Sequence, residues 1–186
     1  PGILIWLERC VENGIISGKE TELPLEKTGT IEFLETFIRK IATREGFGDV
    51  LANGSDRLAK TWGIGGQACN LSVKGQEISM HDPRVKVGVG IGYAVSTYGA
   101  DHMTAAHDPM LCDENSFSFK SVKALGIDKA ISATEITREK VRSYMQLEKL
   151  WRMMDALGLC VFGFAPRGVM SLDTLVESLN AITGWN

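Results

Sequence analysis

The chain has 186 residues, a hydrophobic fraction of 44%, a charged fraction of 23% and a formal net charge of −3. That length suits one domain of ordinary size or two small ones sharing a core, and the composition is that of a globular protein. The small acidic excess, with both signs interspersed, argues against nucleic acid and against an anionic membrane surface as partners, and no apolar run is long enough to span a bilayer.

The chain opens on PGILIWLERC, with neither methionine nor a basic leader, and ends on AITGWN. It therefore reads as a piece of a longer protein, and the lack of a visible signal agrees with a cytoplasmic location. Ile3, Trp6, Leu7 and Cys10 stand at i, i+3, i+4 and i+7, which predicts an amphipathic helix stopped by Asn13-Gly14. Residues 17–29 are polar, with Pro and Gly, and predict a surface loop. Thr30 can cap a second helix with Glu32 in its first turn. Ile31, Leu34, Ile38 and Ile41 are expected on its inner face, and Gly46 at its end. GDVLANGSDRLAKTWG predicts a shorter helix with Leu51, Leu58 and Trp62 inward. Residues 67–80 alternate, which predicts a short strand or extended segment.

Residues 113–131 predict irregular structure with short helical turns. Ser132 and Glu135 form a capping box for a long helix. Its buried stripe is Val141, Tyr144, Leu147, Trp151 and Met154, and Arg138, Lys140, Arg142 and Lys149 fill a solvated surface. After a turn at Pro166-Arg167-Gly168, Ser171 caps a last helix with Leu172, Leu175, Val176 and Leu179 on one face, stopped by Gly184. The fold class is all-α, a multi-helical and irregular non-bundle packing. It divides into two helical lobes, residues 1–98 and 99–186.

Four segments could carry chemistry. Cys10, Cys69, Cys112 and Cys160 lie more than forty positions apart and no CxxC occurs. The chain therefore has no self-contained zinc or cluster motif, and inert buried thiols are the default. Gly88, Gly90 and Gly92 alternate in VGVGIG, which is neither GxGxxG nor a P-loop. Close approach of backbone to a bulky ligand and tight helix packing explain them equally. His81, His102 and His107 fall within 27 residues. His102 and His107, five apart, share a helical face poorly, so a helical metal pair is a weak reading. Asp101-His102 could instead transfer protons, since histidine titrates near neutrality. Arg84, after Pro83, suits a phosphate, a carboxylate or a structural salt bridge. In DALGLC, Asp155 can accept two parallel hydrogen bonds from a guanidine-like edge, such as that of a pterin. Gly158 lets the chain turn out of the helix, and Cys160 emerges beyond it. A thiolate there could ligate an iron–sulfur cluster, although one cysteine cannot hold one.

REGFGDVLANGSDRLAKTWG, VKGQEISMHDPRVKVGVGIGYAVSTYGADH, DALGLCVF and LVESLNAITGW together resemble the helical second and third domains of the aldehyde:ferredoxin oxidoreductase family. The resemblance runs nearly end to end. It implies tungsten, or molybdenum, held by two pterins (a bis-pterin) beside a 4Fe–4S iron–sulfur cluster. Asp155, Gly158 and Leu159 match the pterin-holding DxxGL(C/D) motif, and Cys160 matches the fourth cluster cysteine. His102 in YGADH matches a histidine near the metal that donates protons or orients substrate. Arg84 and the glycine segment would approach the cofactor. The CxxCxxxC segment is absent, which puts the rest of the cofactor cradle in an N-terminal domain of the same protein. Without that domain the chain is expected to bind neither group and to be inactive. The implied reaction is aldehyde oxidation to carboxylate with electrons passed to ferredoxin, and the resemblance leaves room for a homodimer. The alternatives are a sister enzyme reducing aromatic acyl thioesters with the same cofactors, and a cofactor-free helical binding module.

Overall fold

A computed structural model describes residues 2–64, 71–104, 106–164, 167–168 and 170–185. Helices carry the fold, and the strands among the described residues form one short hairpin. No helix among them is long and apolar enough to cross a membrane. The chain forms two compact units, Pro1–Met80 with Thr97–Ala100, and His81–Ser96 with Asp101–Asn186.

In the first unit, α1 (Gly2–Glu12) buries Trp6, Leu7 and Cys10, the face its spacing predicts. Residues 17–29 are more ordered than a plain loop. Ser17 and Glu20 form a reciprocal capping box on a 3₁₀ turn, and Thr21 and Leu23 are buried. Thr30 caps α2 (Ile31–Thr43) as expected, but the helix turns a different face inward. Phe33 and Phe37 are buried and stack with ring centroids 5.7 Å apart, while Ile31 is 71% and Ile38 63% exposed. The helix carries two apolar stripes, and the aromatic one removes more surface from water. The helix also ends earlier than Gly46. Arg44 takes a left-handed φ of 55°, and Glu45 N–H reaches back to the Lys40 carbonyl.

The single helix expected over 48–63 is two, α3 (Phe47–Leu51) and α4 (Ser55–Thr61). Asn53 breaks it by donating its side-chain amide to the Asp49 and Val50 carbonyls, and Gly54 follows at φ 82°. Leu51 and Leu58 are buried as expected, and Trp62 packs on the same core with its ring 5.2 Å from Trp6. Of the extended segment 67–80, residues 67–70 lie outside the described residues. The remainder holds the antiparallel strands β1 (Ser72–Val73) and β2 (Gln76–Glu77), joined through Lys74 and Gly75, both at positive φ. Glu77 caps α4 by accepting from the Ser55 N–H at 2.8 Å.

In the second unit, α5 (Val87–Val95) carries the alternating glycines, and α6 (Phe117–Val122), α7 (Arg138–Ala156) and α8 (Leu172–Thr183) follow. Phe119, Val122, Leu147, Leu150, Trp151 and Met154 form the core. The cap of α7 is Thr137, whose hydroxyl accepts from Lys140 N–H, and not Ser132 with Glu135. Val141 is 43% exposed. Lys140 is not on a solvated surface: its side chain is 2% exposed and its ammonium meets Asp108 at 2.5 Å. Ser171 and Gly184 bound α8 as expected, with Leu175 buried and Val176 outward. Pro166 of the turn before α8 lies outside the described residues.

Candidate functional site

Three histidines converge in the second unit. His81 precedes α5, and His102 and His107 come from the loop that follows Ala100. Asp101 organises that loop: its carboxylate accepts from Met103 N–H at 2.8 Å, and its carbonyl accepts from the Thr104 hydroxyl at 3.2 Å. From α5, the Tyr93 hydroxyl donates to the His81 carbonyl at 3.0 Å. Ring centroids lie 4.6 Å apart for His81 and His102, 4.4 Å for His81 and His107, and 5.6 Å for His102 and His107. His102 and His107 share no helix, in keeping with their five-residue spacing. The rings meet through a loop and a helix start, which residue spacing does not register.

The ring hydrogen bonds assign the tautomers. His107 Nε2–H donates to the His102 carbonyl at 2.9 Å, so the neutral ring keeps its lone pair on Nδ1. His81 Nδ1 accepts from the Lys86 ammonium at 3.1 Å, which places its proton on Nε2. Burial, then the charges of Lys86, His102 and Arg167, lower the His81 pKa. Burial pushes His107 from its ordinary 6.5 down to about 4, against the opposing pull of the His102 carbonyl; Arg167, His81 and Lys86 add to the lowering. The unfolded chain thus takes a proton on this ring as pH falls through 6.5, and the folded chain resists until about 4. Stability should fall across that window, by about 2 kcal/mol once solvent access to the ring is allowed for. His107→Gln keeps a donor for the carbonyl and should flatten this slope in denaturation curves taken across the window. An unchanged slope would assign the pH response elsewhere.

One nitrogen from each ring lies within 4.8 Å of the others. A zinc ion holding three imidazoles would draw them to about 3.4 Å. The surrounding charges oppose this. A divalent cation on His81 Nε2 would lie across the ring from Lys86, roughly 7 Å from its ammonium, and be repelled by about 5 kcal/mol at an effective dielectric of about 20, and Arg167 adds to that repulsion.

The alternating glycines already have close neighbours. A Cβ on Gly88 would lie 2.8 Å from the Asp108 carboxylate, on Gly90 3.0 Å from Pro83, and on Gly92 2.9 Å from the Thr104 hydroxyl. Close packing of α5 within the protein therefore accounts for all three. Arg84 is turned back on Asp82, with Nε and Nη2 on its two oxygens. The pair holds the Asp82 carboxyl down to about 2 and raises the arginine.

DALGLC closes α7 as its residue types predict. Gly158 adopts φ 67° with open space where a Cβ would stand. Leu159 returns its N–H to the Met154 carbonyl at 2.9 Å and packs on the core. Asp155 and Cys160 flank this turn, both exposed. Among the described residues the Asp155 carboxylate accepts one hydrogen bond, a long 3.4 Å contact from Arg152, and the Cys160 thiol forms no disulfide. An available carboxylate and an available thiol around an open glycine fit a pterin edge and one cluster iron. They do not complete either site. Cys10 is buried in its own core, and the Cys112 thiol donates to the Asp108 and Ile131 carbonyls. Residue spacing singled out neither Lys86 nor Arg167 beside the trio; three histidines within 27 residues were the one available signal.

A family model described as aldehyde ferredoxin oxidoreductase, domains 2 and 3, matches residues 1–186. A protein named tungsten-containing aldehyde ferredoxin oxidoreductase from Pyrococcus horikoshii is 34% identical over 189 residues. Proteins of the same name from Pyrococcus abyssi and Pyrococcus furiosus are 34% and 32% identical. Each comparison takes in 100% of this chain and 28% of the relative. No solved structure matches the chain.

Proposed function

Because the chain belongs to the aldehyde ferredoxin oxidoreductase family, we propose that it is the helical part of a tungsten-containing enzyme oxidising aldehydes to carboxylates. The observation that carries this reading is the pair of exposed groups, Asp155 and Cys160, around the Gly158 turn. The expected division at 98/99 would then be an interleaved one, the two compact units standing for the family's second and third domains, and an N-terminal domain of the same protein would supply the remaining ligands.

A tungsten bis-pterin and a 4Fe–4S cluster, when bound, would supply the redox chemistry and pass electrons singly to ferredoxin. This chain's residues bind, orient and move protons. Asp155 accepts paired hydrogen bonds from a pterin edge, and Leu159 anchors the turn to the core. Cys160 gives one thiolate to the cluster, so a single turn links the two groups. His102, whose ring makes no hydrogen bond among the described residues, carries away protons released as aldehyde and water become carboxylate. Arg84 keeps Nη1 for a cofactor phosphate while its other nitrogens stay on Asp82.

The test is metal content of the full-length protein purified without oxygen. About four irons per chain are expected together with tungsten. Cys160→Ala should lose iron, and Asp155→Asn should lower tungsten. A protein without tungsten whose iron is indifferent to Cys160→Ala would sink the reading. Reduction of a viologen dye by aldehydes, but not by aromatic acyl thioesters, would separate the two redox chemistries.

A further inference from the structure

We propose that Lys86, Arg167 and His81 form an oxyanion site that takes a carboxylate or phosphate group beside the histidine trio. Buried or half-buried cations in proteins are paired with an acid, and one left without a partner marks a place where an anion is missing. Among the described residues, no carboxylate comes within ion-pair distance of Lys86 or of Arg167. None of the residues outside the description carries an acidic side chain. The hydrogen-bond partner of the Lys86 ammonium is a neutral ring nitrogen, His81 Nδ1. Arg167 lies over the Phe162 ring at 5.3 Å, and its Nε is buried with no hydrogen-bond partner. Burial lowers its pKa.

The donors are of the right kind. Lys86 has N–H groups beyond the one on His81. Arg167 Nε–H is unused, in a guanidinium whose planar fork matches a carboxylate or phosphate edge. His81, held in the Nε2–H tautomer by Lys86, offers an N–H and no lone pair on that side. Lys86 and Arg167 both act on His81 and on His107 as positive charges. The same three rings would look like a metal site if only their nitrogens were counted. The ammonium and guanidinium around them reverse that assignment, because they repel a cation and attract an anion. The inference rests on the proposed enzyme only for the ligand's source. An aldehyde oxidase produces a carboxylate, whereas a phosphate would belong to a cofactor or to another metabolite.

The experiment is calorimetric titration of the full-length protein with sodium acetate and, separately, with inorganic phosphate, at ionic strength held constant with chloride. One of the two should saturate. Lys86→Met and Arg167→Met should each weaken it about tenfold or more. Saturation by acetate supports a substrate or product carboxylate, and saturation by phosphate supports a phosphate-bearing ligand; both sustain the site. Melting curves give a second readout. In anion-free buffer Arg167→Met should melt at or above the parent temperature, because it removes an uncompensated charge, and it should lose the stabilisation the anion confers. Three results would overturn the proposal. They are saturation by neither anion, binding unchanged in both variants, and a lower melting temperature for anion-free Arg167→Met. Zinc binding that His81→Ala abolishes, with no anion binding, would establish the cation site instead. Tungsten and iron assays on the same preparations read the enzyme proposal independently. A metal-free protein that still binds acetate through Lys86 and Arg167 would retain this site and lose that function.

Discussion

Lys140→Met is expected to destabilise the second unit by about 3–5 kcal/mol, enough to lower its melting temperature by more than about 10 °C. The lysine and Asp108 are 2% and 1% exposed. The ammonium donates to the Asp108 carboxylate and to the Ser132 carbonyl at 2.8 Å. The carboxylate also accepts from the Gly88 and Val89 N–H groups at 3.0 and 3.2 Å, at the start of α5. One carboxylate thus ties the first turn of α5 to α7 and satisfies two N–H groups that no helical carbonyl can reach. Methionine keeps most of the packing volume and leaves a buried carboxylate with two amides and no cation. Asp108→Ala should cost at least as much, since it strands the ammonium and both amides together. Chemical denaturation of the two variants is the check. A loss below about 1 kcal/mol in each would mean that water reaches the pair and screens it.

Gly48→Ala is expected to cost about 3 kcal/mol, although alanine is the better helix former by about 1 kcal/mol. A Cβ on Gly48 would lie 2.3 Å from the Lys40 carbonyl oxygen and 2.4 Å from its carbon. Those are backbone atoms of α2, which cannot rotate aside. The helix α3 would have to lift from α2, loosening Leu51 and Phe37 in the core between them. Gly18→Ala is the control, because there the nearest atom is a Val11 methyl at 3.7 Å. It should change stability by less than about 0.5 kcal/mol. Hydrogen exchange of the α2 and α3 amides should accelerate in the first variant and stay level in the second. Equal protection in both would show that the helices can separate without loss.

Helices whose signals were local were legible in the sequence. Ser171 and Gly184 bound α8, Thr30 starts α2, and the Gly158 turn ends α7 at the place its residue types require. What escaped depended on a partner far along the chain. Two apolar stripes on α2 compete, and only the neighbouring helices decide for Phe33 and Phe37 over Ile31 and Ile38. Lys140 looked like any solvated lysine because its acid stands 32 residues upstream. Thr137 and Ser132 are both good caps by type, and residue type alone does not choose between them. The candidate site divides in the same way. Asp155, Gly158, Leu159 and Cys160 form one contiguous motif and could be read at once. The histidine trio is assembled by a loop, and its electrostatic character comes from Lys86 and Arg167, which carry no motif.

The route of the chain between the two compact units has a consequence for biosynthesis. The first unit is not finished at Met80. Its last tetrapeptide, Thr97–Ala100, arrives only after residues 81–96, which belong to the second unit. That late piece matters, since Gly99 adopts φ 92° and sits so close to the Val73 carbonyl that a Cβ there would be 2.1 Å from its oxygen. On the ribosome, the first unit therefore waits with its hairpin uncovered until Ala100 has cleared the exit tunnel. By then residues 81–96, with α5, are already in the open. No single cut in the gene yields two whole pieces. A truncation at Met80 would leave the hairpin without its cover, and a start at His81 would carry four residues that pack elsewhere. The two units are thus committed to being made, and inherited, as one length of chain.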